Sequence, residues 1–486
     1  MSVGGSVCLL ALLLESINHW FLIPITLLGA LLAPRLGDAW HGRIDPLRAD
    51  VLLTLLMLHN FVAAPILHIA WDTYVPYVPG PSQEVWLNWF GYMAVVNVLG
   101  VASFGFAFRL AGLGRGGTAG ILTTAPIQSS LDWRATLPKP AAAFIALGII
   151  MQIAVYARFG GLLGFAEAAT SIGSDRGELA GLGLVLVIPE SVPIIVSLLW
   201  VSSKGRFRPG SRLGGLFLYV TAIGAVSLGF GGLRQSRANL LFSVLLCVLF
   251  YHRGVRRVRL REIAAFLLAG LLFLYVGSFY KVLGTDAAPL VFSGELEYLE
   301  TETSRGWQST VLHDLARADV QAMVLAHTTE SAYGYRFGYG RTYVGALALL
   351  VPARIWPDRP ETKRVEGTNA LYGAYAYEAG LLSPRVYGLS GEALLNFGPL
   401  AVPVVMFMFG TLVRRIAIFS DAALAREEDE LSVRDIVSVF LGVSVLVIFL
   451  QDSNNVLLYF VRIGLPLAAV VGVSLMGATR RMGTRL

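Results

Sequence analysis

Apolar residues fall along this chain in long unbroken runs separated by short polar or basic connections. Amphipathic periodicity is confined to one region between residues 295 and 335. A helix that crosses a bilayer needs about 20 consecutive apolar residues. Runs of that kind lie at 18–34, 50–71, 85–109, 140–158, 182–202, 214–233, 238–252, 262–280, 392–413, 432–451 and 455–477. The segment before Ala33 has room for one long tilted helix or two, so the pattern predicts an all-α polytopic membrane protein with 11 or 12 spans. Three stretches follow: 1–280 with the first eight spans, a large connecting loop over 281–391, and 392–486 with the last spans and a tail.

The loop has a pattern of its own. Leu296–Glu302 and Ser309–Ala326 carry apolar residues at helical spacing among charges, which predicts short amphipathic helices lying on a membrane surface. Residues 342–351 are apolar but too few to span, and Pro352 stops them, as in a re-entrant or interfacial helix.

Composition agrees with a lipid environment. The 486 residues are 55% hydrophobic and 14% charged, and the mean hydropathy is +0.65. The net charge of +6 does not point to nucleic acid, because the cations cluster beside apolar runs. Basic segments at Pro34–Asp50, Ala111–Lys139, Ser203–Arg212, His252–Arg261 and Leu412–Arg434 alternate with cation-poor Trp71–Glu84 and Gln451–Asn455. The positive-inside rule then places the C-terminal tail in the cytoplasm and the 281–391 loop outside. Cys8 and Cys247 sit in apolar runs, where cysteine acts as a small hydrophobe. The seven histidines show no paired ligand spacing, so neither a metal nor a cofactor is expected.

Candidate chemistry lies at several places along the chain. Arg234 and Arg237, three residues apart in the tight turn after Gly231-Gly232-Leu233, could clamp a phosphate or diphosphate, or snorkel to lipid headgroups. Arg341 opens the short apolar helix beside Tyr339, while Arg354 and Arg359 follow its end. Such cations either bind an anion at the positive helix terminus or pair with Asp358, Glu361 or Glu366. Glu392 and Asn396 stand one helical turn apart, the carboxylate being either a general base for a hydroxyl or a capping group. Glu190, between Pro189 and Pro193, marks a kinked helix lining a cavity; intramembrane Arg462 needs a partner, for which Asp452 is the candidate. His313 and His327 read as solvated surface histidines with a lesser claim to act as bases.

The runs Leu350-Val351-Pro352-Ala353-Arg354-Ile355-Trp356-Pro357-Asp358-Arg359-Pro360 and Ser390-Gly391-Glu392-Ala393-Leu394-Leu395-Asn396-Phe397-Gly398 resemble the O-antigen polymerase, or oligosaccharide repeat-unit polymerase, family, which is related to the O-antigen ligases. Phe159–Gly164 with Arg176, and Gly232–Arg237, are similar to that family's second outer loop and arginine-bearing turn. The resemblance implies a bacterial inner-membrane glycosyltransferase that moves a growing glycan from undecaprenyl diphosphate onto another lipid-linked repeat unit at the periplasmic face. It implies inversion at the sugar, no metal, and a chain-length regulator as partner besides the bilayer and the lipid-linked oligosaccharide. By position, Arg234, Arg237 and Arg341 would hold the diphosphate, with Glu392 beside them and Arg176, Arg354, Arg359, Asn396 and Tyr339 as further substrate contacts. Val-Pro-Ala-Arg stands where the family more usually has a Pro-Arg pair. A ligase or a lipid-linked oligosaccharide flippase is the competing expectation; the absence of an internal repeat speaks against the flippase.

Overall fold

A computed structural model describes residues 19–75, 82–113, 132–170, 185–203, 210, 213–232, 237–330, 334–352, 355–383, 385–424 and 431–483. Among these the only regular elements are helices, with no strand. In order the helices are α1 (Leu22–Trp40), α2 (Ala49–Ala70), α3 (Gln83–Leu113), α4 (Pro138–Arg158), α5 (Leu162–Thr170), α6 (Val187–Ser202), α7 (Leu213–Gly229) and α8 (Arg237–Gly254). Then come α9 (Leu260–Leu283), α10 (Ala287–Ser293), α11 (Leu296–Thr303), α12 (Ala318–Thr329), α13 (Arg341–Ala348), α14 (Lys363–Tyr372), α15 (Gly388–Phe397), α16 (Ala401–Leu424), α17 (Val433–Leu450) and α18 (Ser453–Arg481).

Among the described residues, eight helical runs are long and apolar enough to cross a membrane, and α6, α7 and α8 are shorter apolar helices. The protein is membrane-embedded. One expected span changes: the run 392–413 is two helices, because Gly398 takes φ +78 and Pro399 follows it. The spanning helix therefore starts at Ala401, and Glu392 and Asn396 lie on α15, outside it.

The helices belong to two compact units, the first formed by Met1–Thr118, Val311–Ile418 and Ser444–Leu457, the second by Ala119–Thr310, Phe419–Val443 and Leu458–Leu486. Lipid tails are as apolar as leucine, so close backbone approach and polar contacts decide how spans pack. In the first unit Gly410 of α16 lies against the backbone of Phe104 in α3, where a side chain would collide. The ring of Phe449 meets Phe61 edge-on at 5.6 Å. In the second unit the Tyr219 hydroxyl of α7 donates to the Cys247 carbonyl at 2.9 Å and contacts the Ser197 hydroxyl, joining α6, α7 and α8. Cys247 is buried there, as its apolar surroundings suggested.

The expectation of amphipathic helices lying on a membrane surface is corrected in one part. In α12 every residue from Ala318 to His327 is buried, so this helix is a core element of the first unit and not one that rests on a membrane. It packs against α3, α14, α15 and the end of α2. Its charges mimic an amphipathic pattern, but they face partners inside the protein. His313 is accordingly partly buried and bonded to Asp319, and His327 is buried and bonded to the Ala370 carbonyl at 2.7 Å.

Candidate functional site

The polar centre of the first unit is built on α15. Gly388 takes φ +69 at its start, which turns the Tyr387 and Gly388 amides onto Asp452 Oδ1 at 2.8 and 3.0 Å. Lys363, the first residue of α14, places Nζ 2.6 Å from Asp452 Oδ2, and the two side chains are 7% and 0% exposed. The same ammonium donates to the Arg385 carbonyl and lies over the Tyr387 ring. The buried ammonium thus meets a carboxylate, a carbonyl and a ring face, and these contacts offset part of the cost of burying its charge.

One turn further along α15, Glu392 Oε1 accepts the hydroxyls of Thr342 at 2.7 Å and Ser453 at 2.6 Å, and Oε2 accepts the Ser453 amide at 2.7 Å. Asn396 donates to Thr342 Oγ1 and to the Glu392 carbonyl, both at 2.8 Å, and accepts the Gly340 amide at 2.9 Å. Helical spacing does put Glu392 and Asn396 on one face, and that face fastens the start of α13 and the start of α18 onto α15. Both are buried. Burial first, and then the negative charge of Asp452, push the Glu392 carboxyl up to about 7, despite the hydrogen bonds that favour its ionised form.

An open cleft of about 190 Å³ adjoins this centre within the same unit, lined among others by Tyr335, Arg336, Arg341, Glu366, Asn369 and Glu378. Arg341 Nη2 lies 3.0 Å from Glu366 Oε1, with the arginine side chain 64% exposed and the glutamate 7%. Of the three carboxylates considered as partners for Arg341, the one that pairs is Glu366. Tyr335 donates its hydroxyl to the Leu395 carbonyl at 2.7 Å, which sets its ring beside the pair. Burial raises the Glu366 carboxyl above its ordinary value, and the Arg341 charge recovers only part of that shift. Tyr339, at φ +46, is 76% exposed.

Arg341, Tyr339, Glu392 and Asn396 thus come together around α13 and α15. Arg359 donates to the Val351 carbonyl at 2.7 Å, closing the loop after α13. Arg237 is in the second unit, donating to the Leu274 carbonyl at 2.9 Å across α8 and α9. Arg176, Arg234 and Arg354 lie outside the described residues. The expected Arg462–Asp452 pair is not formed: Arg462 Nε is 3.2 Å from Glu190 Oε2, and Asp452 is held by Lys363. Glu190 does line a small cavity, with Pro193, Gly231, Tyr459 and Arg462.

Two groups have no signature in the sequence. Lys363, Thr342, Asp452 and Ser453 are ordinary polar residues at loop edges, whose only hint is proximity to apolar runs. The second group contradicts the expectation that no ligand set clusters: His68 at the end of α2 stands with His313 and Asp319, one donor atom from each within 4.8 Å of the others. Burial disfavours the Asp319 charge, but the adjacent His68 and His313 hold its carboxyl well below the usual range. Compared with family models, with curated proteins and with solved structures, the chain finds no match.

Proposed function

We propose that the protein is a glycan polymerase of a bacterial inner membrane, transferring a growing chain from undecaprenyl diphosphate to a second lipid-linked repeat unit on the outer face, with its C-terminus in the cytoplasm. The observation that carries this reading is the open cleft in which Arg341 and Arg336 stand with Glu366 and tyrosine rings; one of these, Tyr335, is bonded to the Leu395 carbonyl, six residues before the span that begins at Ala401. A lipid-linked substrate reaches its enzyme laterally, so a charged site close to a spanning helix suits it.

The reaction asks little else of the protein. The acceptor hydroxyl attacks the anomeric carbon, the bond from that carbon to the diphosphate oxygen breaks, and the electron pair leaves with undecaprenyl diphosphate. Guanidinium groups stabilise the charge that builds on the leaving group. The hydroxyl proton needs a carboxylate with an elevated pKa and an opening to substrate, and Glu366 has both. Glu392, whose oxygens are taken by Thr342 and Ser453, serves as the brace that holds α13 and hence Arg341. Tyr335 and Tyr375 offer rings for sugar stacking.

The test feeds purified full-length protein in detergent with an undecaprenyl-diphosphate-linked repeat unit and resolves the lipid-linked products by gel. Wild type should produce a ladder of longer glycans, and Arg341→Ala and Glu366→Gln should each lose it while staying folded. Wild-type protein that never elongates the repeat would overturn the reading.

A further inference from the structure

We infer that the first unit contains a binding site for a divalent transition metal of the zinc type, formed by His68, His313 and Asp319. The three residues converge from α2, from the π-helical turn Thr310–Asp314 and from α12. Asp319 Oδ1 is 3.8 Å from His68 Nε2, and Oδ2 is 3.0 Å from His313 Nδ1. A tetrahedral ion with bonds of 2.0–2.1 Å separates its donors by about 3.4 Å, so these spacings bracket the required one. Two imidazoles and a carboxylate are the donor set that such ions prefer, and water takes the fourth position.

The tautomer of His68 supplies the independent argument. Its Nδ1 contacts the Thr73 carbonyl, which can only accept, so Nδ1 carries a proton. That bond to a backbone carbonyl is the outer contact that ordinarily orients a metal-ligating histidine. Nε2 is left fully buried, with no hydrogen-bond partner, and directed at a carboxylate. In the neutral ring Nε2 presents a lone pair to a negative oxygen, which is repulsive unless a cation lies between them. A divalent ion resolves this contact and satisfies His313 and Asp319 together. The alternative is a second proton on His68, giving an imidazolium paired with Asp319 and no metal. The ring is boxed by Tyr74 and Phe90, which leaves it little freedom to turn away. A bound ion would tie positions 68, 313 and 319 together.

The experiment uses full-length protein in detergent, without an affinity histidine tag, dialysed against chelator, reloaded with Zn²⁺ or Co²⁺ and desalted. One equivalent of Zn²⁺ should remain per chain, and the Co²⁺ form should show the intense visible bands of a four-coordinate ion. Thermal melting should shift upward on reloading. H68Q and D319N should each lose the retained ion, whereas H41Q, at an exposed histidine, should keep it. Should a variant fail to fold, X-ray absorption on the wild-type Zn²⁺ form decides by counting two imidazoles per ion. Wild type that retains no ion, an ion with fewer than two imidazoles, or retention unchanged in folded H68Q and D319N would each overturn the site and favour the imidazolium pair. None of these readouts depends on glycan transfer.

Discussion

Helix α14 carries two ionic contacts three residues apart, and they are opposites. Lys363 meets Asp452 where water is excluded, with 7% and 0% of the side chains exposed. Glu366 meets Arg341, whose side chain is 64% exposed, at the mouth of a cleft. A sealed pair has lost the hydration of both ions, so removing one partner strands the other charge at a cost of about 3–5 kcal/mol. In the Arg341–Glu366 pair only the arginine is exposed, and its charge stays hydrated and screened, so the pair contributes about 0–1 kcal/mol. Stability therefore accounts for Lys363–Asp452 and does not account for Arg341–Glu366. The second arrangement makes sense as a site whose arginine exchanges its internal carboxylate for an incoming anion.

The largest effect should come from breaking the sealed pair. Lys363→Met is expected to lower stability by about 3–5 kcal/mol in thermal or denaturant melts of the detergent-solubilised protein. Adding Asp452→Asn should recover part of that loss, since no charge is then stranded. A Lys363→Met protein that melts like wild type would show the two ion pairs to be equivalent after all.

Arg341→Ala should behave in the opposite manner, costing roughly 100-fold in glycan transfer and less than about 1 kcal/mol in the same melts. Lys at this position should restore transfer only in part, because a point charge does not reproduce the planar fork of donors. Equal losses of stability and transfer would assign Arg341 to the scaffold.

Glu392 sharpens the contrast through pH. Its carboxyl goes from an ordinary 4.5 to about 7 on folding, so the folded state binds this proton more tightly than the unfolded state. The stabilisation from this group is therefore complete below about 4.5 and is lost as pH rises through about 7. Melting temperature should fall over that interval in wild type, and Glu392→Gln should flatten the slope. A wild-type slope of the opposite sign would mean the buried carboxyl is held ionised.

The smallest effect is expected at Arg359, whose hydrogen bond to the Val351 carbonyl closes a partly exposed loop. Arg359→Ala should cost about 1 kcal/mol and leave transfer within a few-fold of wild type. A loss as large as that of Arg341→Ala would extend the cleft to the loop after α13.

The sequence by itself determined that α1, α2, α3, α4, α9, α16, α17 and α18 could cross a membrane. The transfer free energy of an apolar run sums over neighbours in the chain, so it can be read without knowing the fold. It likewise put Glu392 and Asn396 on one face, because helical spacing is local. Only the tertiary structure decided which charge meets which. Arg462 took Glu190 and Asp452 took Lys363, since an ion pair inside a protein goes to whichever partner packing brings within a few ångströms. Packing also buried α12, whose charged periodicity is that of a surface helix until the Asp319 carboxylate finds His68 and His313. Those two histidines lie 245 positions apart, and no local pattern encodes a contact whose geometry depends on how α2, α3 and α12 pack in three dimensions.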